Sequence, residues 1–234
     1  MKKLYLPYFI LQFYLIAFYL FSDDNKEYKI IEGYLYIGFE QNEFRPFKTT
    51  DVWWINSDRT ALAEYSFLVA ADNIDSHSIQ CKIEGYLSPK KTPGYGHFSA
   101  YKREFKLISI KNISYSHEYI LKKYKGCEVI PDSLLSNYTE LVTALRLCDK
   151  SRVESLIGKE KITLTDTDRA TAASDYGTDI NLNFLKNNFQ PQILIVRRDS
   201  ENDFLLRTAT TAFWFKKDSK GKWKLVNYLD KPIQ

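Results

Sequence analysis

Gly33-Tyr34-Leu35-Tyr36-Ile37-Gly38-Phe39 decides how the first half of this chain folds. Leu35, Ile37 and Phe39 share one face of an extended segment and Tyr34 and Tyr36 the other, the period of two expected of a strand with one side buried. Gly33 and Gly38 within that run predict a bulge or sharp bend, which a strand curling around a small barrel needs. The pattern continues outward from Lys29 to about Ser116. Asp51-Val-Trp-Trp-Ile-Asn56 reads as a short strand. Ser78 to Leu87 sets Ile79, Cys81 and Ile83 inward against Gln80, Lys82 and Glu84. Phe105 to Ile113 alternates less cleanly, with Ile108 out of phase. Ser88-Pro-Lys-Lys-Thr-Pro-Gly-Tyr-Gly96 is a turn region, and Ala61 to Ala71 holds one short helix. Four or five strands, a bent first one and a lone helix predict a Greek-key (OB-like) β-barrel over residues 27–118.

Residues 119–132 carry no period and read as a linker. A helix follows, with Asp132 or Ser133 as its cap. Leu134, Leu135, Tyr138, Leu141, Val142 and Leu145 recur at spacings of three and four, an amphipathic stripe. Ser151-Arg-Val-Glu154 has the form of a capping box opening a second helix, which Gly158 ends. Ile162-Thr-Leu164, Gln192–Arg198, Phe204–Phe215 and Lys222–Leu229 read as strands. Asp218-Ser-Lys-Gly221 supplies the turn of the last hairpin. Helices first and an antiparallel sheet last predict an α+β domain over residues 133–234.

The N-terminal residues set the expected compartment. Lys2 and Lys3 precede Leu4 to Phe21, a stretch without charge in which only Gln12 is strongly polar. Residues 1–22 are therefore expected to be a signal peptide or a retained membrane anchor, with everything after Ser22 exported by the positive-inside rule. No Cys follows the apolar run, which excludes a lipoprotein anchor. The chain has 33 basic and 29 acidic side chains. Two of the lysines lie in the leader, so the remainder is close to neutral and gives no footprint for a polyanion. Its three cysteines are too few for a disulfide scaffold. Cys127 and Cys148 lie around one predicted helix and form the candidate disulfide, while Cys81 reads as a buried strand residue.

The first half resembles a family of small exported bacterial OB-like β-barrel domains of uncharacterised function. The resemblance rests on Gly33 to Glu40, then Phe44-Arg45-Pro46, Trp53-Trp54, and Gly94-Tyr95-Gly96-His97-Phe98-Ser99-Ala100-Tyr101-Lys102-Arg103-Glu104. It covers about residues 30–113 and departs from the family at Phe47, where members often carry Cys. Leu141-Val-Thr-Ala-Leu-Arg-Leu-Cys-Asp149 leading to Val153 and Leu156 resembles the NTF2-like superfamily. That resemblance implies helices packed on a curved antiparallel sheet, with a pocket that holds a ligand, serves catalysis or closes in a dimer.

His97, Tyr101, Arg103 and Glu104 form the densest polar group. Together with Trp53 and Trp54 the first three are the candidate binding residues. Consecutive strand residues point apart, so one of the two tryptophans should be buried and the other exposed, and Arg103 and Glu104 should diverge. His77, His97 and His117 lack metal-ligand spacing, so no metal is expected. Asp166 and Asp168 lack the rest of a calcium loop. No phosphate loop, dinucleotide fingerprint or nucleophile elbow appears, so no cofactor and no catalytic residue is implied. The lysines from Lys216 to Lys224 read as a solvated hairpin end. The expectation is an exported, non-enzymatic binding or interaction protein of the bacterial envelope. Its partner would be an envelope protein, glycan or small molecule, with no nucleic acid, and with the membrane through residues 4–21 if uncleaved. Two alternatives stand beside it. One is a small hydrolase or isomerase using Asp175, Asp179 or Asp230, the other an immunity-type inhibitor of a secreted toxin.

Overall fold

The computed structural model describes residues 26–38, 40–58, 60–72, 74–158 and 190–229. The fold is mixed α and β, with a five-stranded sheet, a four-stranded sheet and four helices among the described residues. In chain order they are β1 (Glu27–Ile37), β2 (Asn42–Pro46), β3 (Trp53–Asn56), α1 (Ala63–Asp72), β4 (Ile79–Leu87) and β5 (Glu104–Tyr115). Then come α2 (His117–Leu121), α3 (Asp132–Arg146), α4 (Lys150–Leu156), β6 (Ile195–Ser200), β7 (Asp203–Arg207), β8 (Ala212–Lys217) and β9 (Trp223–Leu229). The expected leader lies outside the described residues. Among those described, no helix is long and apolar enough to cross a membrane.

The first sheet is barrel-like and runs β1-β2-β3-β5-β4. β2 and β3 pair antiparallel, with Phe44 opposite Trp53, and β3 pairs parallel to β5, with Ile55 opposite Phe105. Alternation puts Phe44, Trp53, Ile55, Ile83, Phe105 and Leu107 in the core. The Trp53 indole stacks on Phe105 with ring centroids 5.8 Å apart. Gly33 answers to a close approach between strands. A Cβ there would lie 2.2 Å from the Arg45 carbonyl oxygen and 2.6 Å from the Phe44 ring. Gly85 repeats the arrangement on β4, 2.1 Å from the Lys106 carbonyl oxygen and 2.8 Å from the Phe105 ring. In each case a neighbouring strand's phenylalanine covers the missing side chain.

On the outer surface of that sheet, Glu84 gathers three strands. Its carboxylate accepts the Tyr28 hydroxyl of β1, the Ser109 hydroxyl at 2.9 Å and the Lys111 ammonium at 2.6 Å, the last two from β5. Lys111, then the Tyr28 and Ser109 hydroxyls, pull the Glu84 carboxyl down to about 2. A depressed carboxylate favours the folded state above the ordinary glutamate range near 4.5, and that contribution is lost as pH falls toward 2. Thermal melts between pH 2 and pH 6 should therefore show a smaller acid-induced fall in Tm for Glu84→Gln than for the parent chain.

The chain divides into two compact units. Among the described residues one comprises 26–33, 37–38, 40–58, 60–61 and Lys82–Lys111, and the other Tyr34–Tyr36, 62–72, 74–81, 112–158 and 190–229. In the second unit, α3 buries Leu134, Leu135, Tyr138, Leu141, Val142 and Leu145, the whole expected stripe. The helix starts at Asp132 after a Pro131 cap, so neither Asp132 nor Ser133 is the cap residue. The Pro131 carbonyl accepts the first N–H groups, and Ser133 instead accepts the Trp223 indole N–H at 3.1 Å. α3 ends with Cys148 in the left-handed region at φ 56, the Asp149 N–H turning back to the Ala144 carbonyl. α4 is capped by the Asp149 carboxylate, which accepts the Arg152 N–H at 3.1 Å, two residues before the expected Ser151 box. The Cys127–Cys148 bridge is not formed: all three cysteines are free thiols, with Cys127 exposed and Cys148 half-buried.

The second sheet is an antiparallel meander in the order β6-β7-β8-β9. Phe204–Phe215, expected as one strand, is two strands joined by a turn at Thr208–Thr211. The Thr208 hydroxyl accepts the Thr211 N–H at 3.0 Å, and the Thr208 N–H meets the Thr211 carbonyl at 2.8 Å. The last turn forms as read, with the Asp218 carboxylate taking the N–H groups of Lys220 and Lys222 and Gly221 at φ 72.

Candidate functional site

The glycine-rich turn of the first unit is a hairpin laid over β2 and β3. Gly96, at φ 71, presses so closely on Trp54 that a Cβ would lie 2.4 Å from the indole. Gly94 is pinned 2.3 Å from the Tyr101 carbonyl oxygen by the same measure. Beneath the hairpin, Trp54 and Tyr101 pack with ring centroids 5.4 Å apart. The Tyr101 hydroxyl donates to the buried Glu43 carboxylate at 3.3 Å. Arg45 donates to Glu43 from Nε at 3.0 Å and from Nη2 at 2.7 Å. Burial, then the Glu43 charge, raises the Tyr101 phenol above its ordinary range. The structure therefore brings Trp54 and Tyr101 together and keeps Trp53 in the core. His97 lies outside this cluster, its Nδ1 3.9 Å from the Glu40 carboxylate. Arg103 gives its backbone carbonyl to the Trp54 N–H at 3.0 Å, while Glu104 accepts from the Asn56 amide at 3.3 Å.

In the second unit, five elements converge on a cleft of about 530 Å³. β4 contributes Gln80, β5 Asn112 and Ser114, α2 His117, α3 Ser136, Thr139 and Glu140, and α4 Arg152. The Gln80 amide donates to the Ser114 hydroxyl at 3.2 Å. The His117 Nε2 stands 3.5 Å from the Ser136 hydroxyl. Burial holds the His117 imidazole below its ordinary range, the Asp132 charge opposing only in part, so it is neutral at pH 7. Asn112 sits in the left-handed region at φ 52 in the middle of a strand, a conformation that asparagine tolerates better than most residues. Five of the eight lining side chains are uncharged amides or hydroxyls, and His117, one carboxylate and one guanidinium complete the lining. Among the described residues no group of three or more His, Cys, Asp or Glu could hold a metal ion.

A buried ionic network fixes the walls of this cleft. Arg146, 1% exposed, donates from Nη2 to the Asp72 carboxylate at 2.5 Å. The Tyr115 hydroxyl donates to the other Asp72 oxygen, and Tyr119 donates to the Asp72 backbone carbonyl at 3.2 Å. The two tyrosine rings stack at 5.5 Å. Thr143 accepts the Tyr115 N–H at 3.2 Å while donating to the Thr139 carbonyl at 2.7 Å. The strand carrying Asn112 and Ser114 is thus tied to the helix carrying Ser136, Thr139 and Glu140. None of these cleft residues except His117 stood out in the sequence. The available signals were the polar side of α3 and the outward Gln80.

Comparison with family models, with curated proteins and with solved structures finds no match for this chain.

Proposed function

We propose that this is an exported binding protein of the bacterial envelope that holds a small polyhydroxylated ligand, a glycan fragment in chemical class, in the cleft of its second unit. The chemistry of the lining carries the reading. Sugar hydroxyls donate and accept at once, and amide and hydroxyl side chains answer both roles. The Glu140 carboxylate accepts two hydroxyls, and the Arg152 guanidinium donates to ring oxygens or to a uronic carboxylate. A neutral His117 completes a surface without strong net charge, suited to a neutral or weakly acidic ligand. The five-stranded sheet, with β3 parallel to β5 and one helix between β3 and β4, supports an OB-like barrel. The helices on a four-stranded meander support an NTF2-like second domain. The leader expected at residues 1–22 supplies the compartment.

Titration calorimetry of the full-length chain in phospholipid nanodiscs, against neutral and acidic saccharides, tests this. Saturable binding is expected. Ser136→Trp, which fills the cleft from an exposed helix position, should weaken it at least about tenfold, some 1.4 kcal/mol, without lowering Tm. No saturable binding, or binding indifferent to Ser136→Trp, would refute the site.

One contact favours a hydrolytic reading of the same cleft: the Ser136 hydroxyl 3.5 Å from the His117 Nε2, a nucleophile beside a neutral base. The carboxylates expected for such chemistry, Asp175, Asp179 and Asp230, lie outside the described residues. Covalent labelling by a fluorophosphonate, abolished in Ser136→Ala, would select hydrolysis. An unlabelled chain that still binds saccharide selects binding.

A further inference from the structure

We propose that the hairpin from Ser88 to Glu104 docks on an anionic bilayer surface, Phe98 entering the interface and Lys90, Lys91 and Lys102 supplying charge to the headgroups. The hairpin stem is well defined. The Ser88 N–H meets the Glu104 carbonyl at 2.8 Å, the Lys91 N–H the Lys102 carbonyl at 3.1 Å, and Tyr95 and Tyr101 exchange both backbone bonds. At the tip, Phe98 at φ 54 and Ser99 at φ 57 are consecutive non-glycine residues in the left-handed region. That conformation is costly for a bulky side chain. The strain brings little burial in return: Phe98 stacks on the adjacent His97 ring at 4.0 Å and is still 90% exposed. Backbone strain that holds an aromatic ring in water points to a use outside the fold.

The surroundings choose the occupant. Lys90, Lys91 and Lys102 are exposed, Arg103 is half-buried, and no acid stands between Ser88 and Arg103. The acids nearby are Glu104 at the base of the stem, which accepts from the Asn56 amide, Glu40, which faces His97, and Glu43, which is buried against Arg45. Phe98 is the only large apolar residue of the hairpin exposed to water. A protein partner needs an apolar interface core several residues wide. A bilayer interface accepts a single aromatic ring, and lysine stems lie along apolar surface with their amines at the headgroups. Each lysine near an anionic surface adds to the attraction. This surface lies in the first unit and stands apart from the cleft reading.

The test places an environment-sensitive nitrobenzoxadiazole label on Phe98→Cys, in full-length chain carrying Cys127→Ser and Cys148→Ser and reconstituted with vesicles. On phosphatidylglycerol-containing vesicles the emission should shift blue and be quenched by doxyl lipid. On phosphatidylcholine vesicles the label should stay aqueous. Lys90→Gln with Lys91→Gln, which leaves the tip intact, should cut the docked-to-undocked ratio about thirtyfold, and salt should do likewise. A label that stays aqueous on anionic vesicles, or responds alike on both lipids, overturns the proposal. So does a label that responds only to an added acidic protein.

Discussion

Arg146→Ala should lower the stability of the chain by about 3–5 kcal/mol, because it strands the Asp72 carboxylate in the interior without its counter-charge. Arg146 and Asp72 are almost wholly buried, so water cannot replace the lost partner. Asp72→Ala should cost a similar amount for the mirror reason. The double variant Asp72→Leu, Arg146→Leu should recover most of the loss, since an apolar pair of similar volume is often as stable as a buried ion pair. Tyr115→Phe removes one hydrogen bond to the carboxylate and should cost about 1.5–3 kcal/mol. Urea unfolding measures these losses, and Asp72→Ala, Arg146→Ala and the variant carrying both alanines together give the coupling energy of the pair. A loss under about 1 kcal/mol for Arg146→Ala would mean that the network is not what ties β5 to α3. The network also fixes the sign of alkaline sensitivity. Burial, and then the Asp72 charge, push the Tyr115 phenol well above its ordinary value of 10.0. The folded state holds that proton more tightly than the unfolded one. Its contribution is therefore complete below the ordinary tyrosine range and declines as pH rises above it. Tyr115→Phe should flatten that decline.

Gly85→Ala and Gly33→Ala should each damage the first unit at or above the upper end of the roughly 1–3 kcal/mol that overpacking costs. The atoms a new methyl group would meet are backbone carbonyl oxygens of neighbouring strands, at 2.1 Å for Gly85 and 2.2 Å for Gly33. A backbone oxygen cannot rotate away as a side chain can, so the strands must part. Parting them also uncovers Phe105 and Phe44, the rings that fill the glycine positions. Gly221→Ala is the contrasting case. Nothing lies within 4 Å of its Cβ position, and only its φ of 72 is unfavourable, which should cost about 1–2 kcal/mol. Thermal melts of the three variants side by side test the distinction. Equal losses would show that glycine freedom, and not strand contact, sets the requirement.

The parts of the fold that could be read from the sequence are those where local pattern and burial agree. The stripe from Leu134 to Leu145 is buried because its spacing matches the helix period, and Ile79, Cys81 and Ile83 are buried because theirs matches the strand. Asp218 and Gly221 announce their turn because one supplies the acceptor and the other the positive φ. The turn at Thr208–Thr211 was hidden because a threonine hydroxyl does the work usually signalled by glycine or proline. The start of α4 is ambiguous in the sequence because two capping sequences lie two residues apart, and the structure uses Asp149, which follows directly on the left-handed Cys148 that ends α3. At the glycine-rich turn, proximity in sequence suggested a site. The structure accounts for Gly94 and Gly96 by contact with Tyr101 and Trp54. The cleft was not legible, since its residues come from β4, β5, α2, α3 and α4, and only tertiary packing around Asp72 and Arg146 brings them together.

The chain has three histidines, which makes the imidazole spectrum the most direct test of where ligand binds. Titrating the full-length, ¹⁵N-labelled protein with saccharide should move the His117 ring signals and leave those of His77 and His97 in place. Saturable binding that shifts His97, or that leaves His117 unmoved, would contradict the assignment of the cleft as the ligand site.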